Sequence, residues 1–152
     1  MIRAARPEDF DAWLPLWQGY NGFYGREDAT ALPEAISRLT WQRFHDPLEP
    51  MHVLLAERDG KLLGFVHYLY HRSTITVCPD CYLRDLFTVP EARGQGVGRA
   101  LIGAVYEAAR AAGGDRVYWQ THITNTAGRT LYDKVAEHVG FIVYRKMLDL
   151  PG

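Results

Sequence analysis

The stretch PEARGQGVGRALIGAV, residues 90–105, joins an apolar run to a helical pattern and carries glycine at positions 94, 96 and 98. Glycine inside an element costs roughly 0.5 to 1 kcal/mol relative to alanine, so three glycines in five residues need a local reason. A turn from a strand into a helix supplies one, because it exposes the first free N–H groups of the helix and glycines clear side chains away from them. Since the positive end of the helix dipole favours phosphate, the stretch predicts a cradle for a pyrophosphate group.

The sequence of this stretch does not match the motifs of two other classes of phosphate-binding loop. A Walker A loop ends in Gly-Lys-Ser/Thr, whereas Gly98 is followed by Arg99 and Ala100. A dinucleotide fingerprint needs Gly-x-Gly-x-x-Gly and an acidic residue at the end of the next strand. Here the spacing is Gly-x-Gly-x-Gly, and the next apolar run, RVYWQT, ends in Gln120 and Thr121. A structural turn that binds no ligand stays open as the alternative.

Two amphipathic helices are predicted ahead of most of the sheet, after a short opening strand at residues 2–5. The second helix, from Pro33 to Phe44, is expected to bury Phe44 together with Ile36 and Leu39. The first helix follows Asp9, a residue type suited to the N-cap. Its apolar face consists of Phe10, Trp13, Leu14, Trp17 and Tyr20.

Strands and helices are predicted to alternate through the rest of the chain. Two apolar runs flank Asp59-Gly60, which favours a hairpin because glycine accepts the positive φ of the turn. The strand-like run CYLRDLFTV leads into the glycine stretch, and Gly113-Gly114 is expected to end the helix that follows. Then come a buried strand in RVYWQT, a helix capped by Asn125 and a last strand in FIVYRKMLDL. This order predicts a single domain, residues 1–152, of α/β (α+β) class, with a mixed sheet and helices on both faces.

Composition narrows the function classes. The 152-residue chain has a net charge of -1 and 23% charged residues, so it lacks the basic excess of a nucleic-acid-binding protein. It shows neither the apolar core of a signal peptide nor an apolar run of about 18 residues, so we expect a cytoplasmic protein without a membrane partner. The pair Cys78 and Cys81 cannot complete a zinc site, so no metal is expected and both are interpreted as ordinary loop cysteines.

Two motifs in this order resemble those of the GNAT superfamily of N-acetyltransferases. PEARGQGVGRAL is similar to the family's cofactor loop, Arg/Gln-x-x-Gly-x-Gly/Ala, with Arg93, Gly96 and Gly98 in the three defined places. NTAGRTLYDKVAEHVGF is similar to the second signature, Asn-x-x-Ala/Gly-x-x-Leu-Tyr followed by Gly-Phe. The resemblance runs from about Val53 to the end, and YLRDLF and VYWQT resemble the polyamine and histone-tail acetyltransferase subgroup.

The resemblance implies the GNAT fold, a mixed and mostly antiparallel sheet flanked by helices. It also implies an enzyme that transfers the acetyl group of acetyl-CoA to a primary amine by direct attack in a ternary complex. The amine belongs to a small molecule or a peptide, and the resemblance together with the last predicted strand favours a homodimer. A domain that binds acyl-CoA without catalysis is the competing function.

The expected acetyl-CoA site combines both motifs. Asn125 and Tyr132 are seven residues apart, so they lie on one helix face with Gly128 between them, an arrangement that suits an extended pantetheine arm. By resemblance, Tyr132 gives a proton to the leaving thiolate and backbone N–H groups near Phe87 and Thr88 polarise the carbonyl. Asn125 as a plain N-cap and Tyr132 as a half-buried aromatic remain open. The full predicted set is Leu86, Phe87, Thr88, Arg93, Gly94, Gln95, Gly96, Val97, Gly98, Arg99, Asn125, Gly128 and Tyr132.

The acceptor amine needs a group that holds its charge and takes its proton. Asp85, a charge within the apolar run YLRDLF, is the candidate base and amine ligand, and a salt bridge with Arg84 or another arginine is the equal alternative. His122 is a second candidate base, with a solvated loop histidine as its alternative. Tyr20 and Tyr24 are predicted on the substrate side, where aromatic rings suit a cation.

Overall fold

The computed structural model describes residues 1–150. The chain forms two compact units, Met1–Gln120 and Thr121–Gly152. The elements in order are β1 (Ile2–Ala4), α1 (Phe10–Phe23), α2 (Glu34–Phe44), β2 (Met51–Arg58), β3 (Lys61–His71), β4 (Asp80–Thr88), α3 (Val97–Ala111), β5 (Val117–Tyr118) and α4 (Thr126–Val135). None of the helices in this part of the chain is long and apolar enough to cross a membrane.

The first unit contains a five-stranded mixed sheet in the order β1-β2-β3-β4-β5. The first four strands are antiparallel, and β5 runs parallel to β4. Strands β2 and β3 form the predicted hairpin: Arg58 pairs with Lys61, and the two residues between them, Asp59 and Gly60, have φ values of 52° and 76°. Positive φ at both central residues matches the right-handed twist of the flanking strands, which confirms the hairpin prediction.

Helices cover both faces of this sheet because successive side chains of β3 point to opposite sides. Phe65 faces α1, with its ring 6.5 Å from that of Trp13. Gly64 faces α3, where a Cβ would lie 3.3 Å from side-chain atoms of Val97 and Leu101. The side of α3 that packs there is apolar and buried, and consists of Val97, Leu101, Ile102, Val105 and Ala109.

Helix α3 ends at the predicted glycine pair. Gly113 has a φ of 81° and donates its N–H to Arg110 O at 3.0 Å, while Gly114 donates to Ala109 O at 2.8 Å. This pair of bonds is a Schellman motif, which satisfies the last carbonyls of the helix and needs a left-handed residue that glycine adopts without strain.

Helix α2 faces the core with a different side from the one predicted. Ile36 and Leu39 are 46% and 44% exposed, and Phe44 is only half-buried. The buried residues are instead Ser37 and Trp41, one turn apart. On this side the ring of Trp41 packs 4.8 Å from that of Trp13, and Ser37 Oγ accepts a hydrogen bond of 3.1 Å from Nε1 of Trp17, so both residues make core contacts that Ile36 and Leu39 do not replace.

Two predictions about the C-terminal part were wrong. The run RVYWQT forms only the two-residue strand β5, in which Tyr118 is 43% exposed. The segment FIVYRKMLDL, residues 141–150, forms no strand. Strands are held by the ladder to a neighbour, and in the described residues of the second unit α4 is the single regular element, so this segment has no partner strand there.

Both cysteines carry free thiols, but only one of the two lies in a loop. Cys81 is a residue of β4 and is completely buried, which raises the pKa of its thiol to about 11. Cys78 precedes that strand and is half-buried. The interpretation as loop cysteines is therefore wrong for Cys81, whose small apolar side chain fills the core.

Candidate active site

The glycine loop lies between β4 and α3 and has the backbone geometry of an anion cradle. Gly94 and Gly96 have φ values of 75° and 82°, in the left-handed region that residues with a Cβ avoid. A Cβ at either position would meet nothing within 4 Å. Conformation rather than crowding therefore demands glycine here, and the space beside the loop is open.

The N-terminus of α3 presents N–H groups toward that space. Ala100 makes the first intrahelical bond, to Gly96 O at 3.0 Å, and no side chain caps the helix. The N–H groups of Val97, Gly98 and Arg99 therefore precede the first turn's hydrogen bond and remain for an external acceptor. A phosphate group suits this position by both hydrogen bonding and dipole, so these residues fit the pyrophosphate of coenzyme A.

Two long side chains of the loop hold its shape. Gln95 donates to Glu91 O at 3.1 Å and accepts from the Arg58 guanidinium at 2.9 Å. Arg93 donates from Nε to Thr88 O at 3.2 Å. The loop is thus tied both to the end of β4 and to the β2–β3 hairpin. The contribution of Arg58 was not predicted, since it comes from 37 residues away in the chain.

Strand β4 carries a bulge at the point where the candidate site begins. His67 pairs with Asp85 and Tyr68 with Leu83, so Arg84 is the extra residue. A bulge bends its strand and redirects the neighbouring side chains. Here it leaves Arg84 exposed and brings Asp85 to the face of the sheet that α1 covers.

Asp85 is held in a chain of hydrogen bonds. The Tyr20 hydroxyl donates to Oδ1 of Asp85 at 2.7 Å, and Nδ1 of His67 lies 2.9 Å from Oδ2. Nε1 of Trp13 in turn donates to Nε2 of His67 at 3.1 Å. The alternative of a salt bridge with Arg84 or another arginine is wrong, since within the described residues the ion-pair partner of Asp85 is His67 and Arg84 is exposed. Neither His67 nor Trp13 was predicted as a site residue, although a histidine in the apolar run GFVHYLY was a visible signal.

Burial and these hydrogen bonds determine the protonation states of Asp85, Tyr20 and His67. Burial favours the neutral acid, but the hydrogen bonds of His67 and Tyr20 and the positive charge of Arg84 act against it, and the pKa of Asp85 lies below its usual value. Burial, with the Asp85 charge next, raises the pKa of Tyr20, which keeps the phenol a donor. Burial lowers the pKa of His67 despite Asp85. The result is a fixed carboxylate beside a neutral imidazole.

Aromatic side chains extend from Asp85 toward the surface. The Tyr20 ring stacks on Trp17 at 5.3 Å and lies 4.9 Å from the ring of Tyr24. Tyr24 is 47% exposed, and the Arg26 guanidinium lies 5.5 Å from its ring centre. The structure therefore brings the predicted residues Tyr20 and Tyr24 together with Asp85. A carboxylate next to aromatic faces is an environment that attracts a cation.

The second unit holds the other predicted residues. Asn125 is the N-cap of α4: its Oδ1 accepts from Gly128 N–H at 3.2 Å, and its Nδ2 donates to Thr121 at 2.9 Å. A Cβ at Gly128 would lie 2.4 Å from Nδ2 of Asn125, so glycine makes room for the cap. Tyr132 lies two turns along the same helix face. His122 is exposed, and its Nδ1 lies 2.6 Å from the Thr124 hydroxyl.

Comparison with known proteins identifies the family. The sequence pattern of the acetyltransferase (GNAT) family matches residues 11–136. The chain belongs to the GNAT family. This GNAT protein is an acetyl-transferring enzyme, and acetyltransferases of the family use acetyl-CoA as cosubstrate. Among residues 1–150, no group of three or more His, Cys, Asp or Glu side chains is placed to hold a metal ion.

Two relatives are similar to this GNAT enzyme over nearly its whole length. The D-amino-acid N-acetyltransferase HPA3 of Saccharomyces cerevisiae is 36% identical over 148 residues, which cover 96% of this chain and 89% of the yeast protein. The uncharacterized N-acetyltransferase YhfO of Bacillus subtilis is 30% identical over 145 residues, 94% of each chain. Amine acetylation by such relatives agrees with the predicted reaction class.

Solved structures agree on the fold. A ribosomal-protein-alanine N-acetyltransferase from Brucella melitensis matches with a TM-score of 0.79 at 20% identity, covering 97% of this chain and 99% of that one. An aminoglycoside acetyltransferase from an uncultured soil sample, in complex with sisomicin, matches with a TM-score of 0.80 at 16% identity, covering 97% and 96%. These similarities confirm the predicted GNAT fold.

Proposed function

We propose that this enzyme acetylates the α-amine of a free amino acid, with acetyl-CoA bound at the glycine loop and the amine bound at Asp85. The observation that carries the proposal is the position of both features on one strand: Asp85 lies in β4, and β4 leads through the left-handed Gly94 and Gly96 into α3. A cation site and an anion cradle thus follow each other along one short segment. That order suits transfer between two substrates bound side by side.

The cosubstrate side uses backbone groups. In Met1–Gln120, β5 pairs with β4 only at Cys81 and Tyr82, so the later half of β4 has a partner strand on the β3 side alone. We infer that Leu86, Phe87 and Thr88 bind the pantetheine arm and the thioester carbonyl along this edge. The loop N–H groups take the pyrophosphate, beside the charges of Arg93 and Arg99. Acetyl-CoA supplies the acetyl group as a thioester.

The acceptor side uses the fixed carboxylate. Asp85 holds the incoming ammonium group, the ring of Tyr20 forms one wall, and the exposed Tyr24 lies at the entrance. The ammonium proton leaves to Asp85 directly or through water, which frees the amine for direct attack in a ternary complex. Because the pKa of Asp85 is lowered, its main contribution is to hold the charge. We also propose His122, the second candidate base, as a residue that binds the acceptor.

The remaining assignments rest on the family resemblance. Tyr132 protonates the leaving thiolate, while Asn125 and Gly128 border the pantetheine arm in addition to their local roles in capping α4. We further propose a single catalytic domain spanning residues 1–152, a homodimer and a cytoplasmic location.

The acceptor class is supported by the 36% identical yeast relative, a D-amino-acid N-acetyltransferase. A polyamine or a histone-tail-like peptide is the second candidate, because YLRDLF and VYWQT resemble that subgroup. An exposed aromatic entrance beside a carboxylate suits the ammonium group of either class. The two classes differ in their other charges, since an amino acid brings a carboxylate and a polyamine brings further cations.

Ligand binding is tested first by thermal unfolding with acetyl-CoA, with NAD as the control. A ligand at 100 times its dissociation constant adds about 2.7 kcal/mol, so we expect an increase in Tm of roughly 5 to 10 °C with acetyl-CoA and none with NAD. Turnover is then measured by release of free thiol with the D- and L-forms of several amino acids, a polyamine and an N-terminal peptide. Turnover with the polyamine or peptide alone would move the acceptor to the second class, and no shift with acetyl-CoA would refute the loop assignment.

The amine site is tested by a matched pair of carboxylate variants on β4. Asp85→Asn removes the charge that holds the ammonium, so we expect the KM for the amine to rise at least about ten-fold. Asp80→Asn makes the same change at the other end of the strand, where the carboxylate lies 3.4 Å from Arg116, and should leave KM for the amine within about two-fold. Equal effects of the two changes would contradict an amine site at Asp85.

A further inference from the structure

The buried chain from Trp13 to Tyr20 contains a histidine that touches no open surface. His67 is 3% exposed, and its ring lies between those of Phe65 at 4.4 Å, Phe44 at 4.6 Å and Trp17 at 5.1 Å. Its two polar contacts, to Trp13 and Asp85, are within hydrogen-bond distance. A polar ring in such apolar surroundings needs both nitrogens satisfied.

The partners of His67 define its protonation. An indole N–H can only donate, so Nε2 of His67 accepts the 3.1 Å bond from Trp13 and carries no proton. The single proton of the neutral ring is then on Nδ1 and is donated to Oδ2 of Asp85 at 2.9 Å. The Tyr20 hydroxyl donates to the other carboxylate oxygen. Trp13 therefore selects one tautomer of His67, and that tautomer is a donor to Asp85.

The charged surroundings of this pair are few. On α1, Tyr20 donates to Asp85 and its ring lies 4.9 Å from that of Tyr24, and on β4 Arg84 adds a positive charge near the carboxylate. The side chains of α2 and β3 that pack on the imidazole, Phe44 and Phe65, are apolar. The carboxylate of Asp85 is therefore stabilised by two hydrogen-bond donors, Tyr20 and His67.

We propose that His67, in the Nδ1–H tautomer imposed by Trp13, is a positioning residue that orients Asp85 and keeps it ionised for the ammonium group of the acceptor. This inference rests on the proposed function, since it assigns Asp85 to the amine. His67 acts through Asp85 and does not take the amine's proton, because its one free lone pair is already used by Trp13. Its loss should therefore weaken amine binding more than it slows the chemical step.

Substitution of His67 by asparagine or by glutamine distinguishes the roles of its two ring nitrogens. The amide nitrogen of asparagine lies close to the place of Nδ1, so His67→Asn retains a donor to Asp85, whereas glutamine reaches the place of Nε2 and retains the contact with Trp13 alone. We expect His67→Gln to raise the KM for the amine about 10- to 100-fold, with kcat and the KM for acetyl-CoA changed less than about three-fold. His67→Asn should recover at least ten-fold of that loss. His52→Asn, on β2, is the control for an equivalent change elsewhere.

A purely structural role would give a different pattern. It would lower Tm in both His67 variants and would reduce kcat and amine affinity together. Equal KM values in the two variants, or a fall in kcat at constant KM, would overturn the inference. If the wild-type enzyme turns over no amine, the proposed function fails instead, and the protonation of His67 is then decided by spectroscopy alone.

The tautomer is observed directly by NMR of the full chain labelled with ¹⁵N-histidine. We expect His67 to show a protonated Nδ1 and an unprotonated Nε2 throughout pH 5.5 to 8. In Trp13→Phe, which removes the donor and keeps a ring, we expect the constraint on Nε2 to be lost and His67 to exchange between tautomers or to titrate. A wild-type His67 protonated on Nε2, or on both nitrogens near pH 7, would refute the proposal.

Discussion

Gly96, at the end of the loop, differs from Gly103, inside α3, in its backbone angles. Gly96 precedes the helix with a φ of 82°, whereas Gly103 lies in the helix interior without a positive φ, and a Cβ at either would meet nothing within 4 Å. Space is therefore available at both positions. Only Gly96 has a conformation that a Cβ strains.

We expect Gly96→Ala to lower the free energy of unfolding by about 1 to 2 kcal/mol, and Gly103→Ala to raise it by up to about 1 kcal/mol. Equilibrium urea denaturation of the two variants measures both changes. The stabilisation of Gly96→Ala by acetyl-CoA should also be smaller than that of wild type, because the loop N–H groups are displaced. If Gly96→Ala is as stable as wild type, the left-handed conformation does not constrain the loop.

Tyr132 is the side chain to which the proposed mechanism gives one proton-transfer step. Without its phenol the thiolate leaves unprotonated, so Tyr132→Phe should lower kcat by about 10² to 10⁴ while the acetyl-CoA shift in Tm is retained. Tyr144→Phe, at a residue 89% exposed, is the control for the loss of a hydroxyl. Steady-state kinetics of the two variants measures the effect. An unchanged kcat in Tyr132→Phe would mean that solvent, and not Tyr132, protonates the thiolate.

The contact between β3 and β4 contains a position where a side chain has no room, Gly64. A Cβ at Gly64 would lie 2.5 Å from the carbonyl oxygen of Phe87, and α3 closes the same space from outside. A backbone carbonyl cannot rotate away as a side chain can. An added methyl group must therefore push apart the two strands that carry His67 and Asp85.

We expect Gly64→Ala to lower the free energy of unfolding by about 1 to 3 kcal/mol and to reduce turnover, because the strand edge proposed for the thioester shifts with it. Gly60→Asn, in the hairpin turn between β2 and β3, is a milder control, since asparagine tolerates a positive φ. Denaturation curves and kinetics on both variants provide the measurement. Equal stability of Gly64→Ala and wild type would show that the strands can separate at no cost.

At the scale of the whole molecule, two buried or half-buried histidines make the free energy of unfolding depend on pH. His67 has a folded-state pKa below its ordinary 6.5, because burial outweighs the effect of Asp85, and His52 has a lowered pKa through burial. The unfolded chain therefore binds more protons than the native one below about pH 6.5. By linkage, stability is fully present above that pH and is lost as the pH falls toward the folded-state pKa values.

We expect the free energy of unfolding to decline from pH 7.5 to pH 5, with a slope of at most about 1.4 kcal/mol per pH unit for each histidine. His67→Asn and His52→Asn should each reduce the slope, and the double variant should be nearly flat in this range. Asp85, with its lowered pKa, contributes only in more acidic solution. Urea denaturation at five pH values tests this, and a steep slope in the double variant would assign the effect to other groups.

Much of the architecture could be predicted from local patterns. The hairpin at Asp59-Gly60, the Schellman end of α3 and the loop before it follow from glycine's tolerance of positive φ, which depends on a residue and its immediate neighbours. The helix α1 and its tryptophans follow from a 3.6-residue period. The strand predicted at residues 141–150 was wrong because a strand pattern shows suitability for a sheet and does not supply a partner strand.

The candidate site depended on contacts that no local pattern contains. Asp85 was visible as a charge in an apolar run, but its partners are 18 residues away at His67 and 65 residues away at Tyr20. Their meeting requires the register of β3 on β4, the bulge at Arg84 and the rotation of α1 over both strands. Residue types and periodicity therefore determine the amphipathic helices and the glycine turns, including the left-handed loop before α3, because these are short-range properties. The charge state and partners of Asp85 follow from packing between distant segments, because burial and hydrogen bonding exist only once the chain has folded.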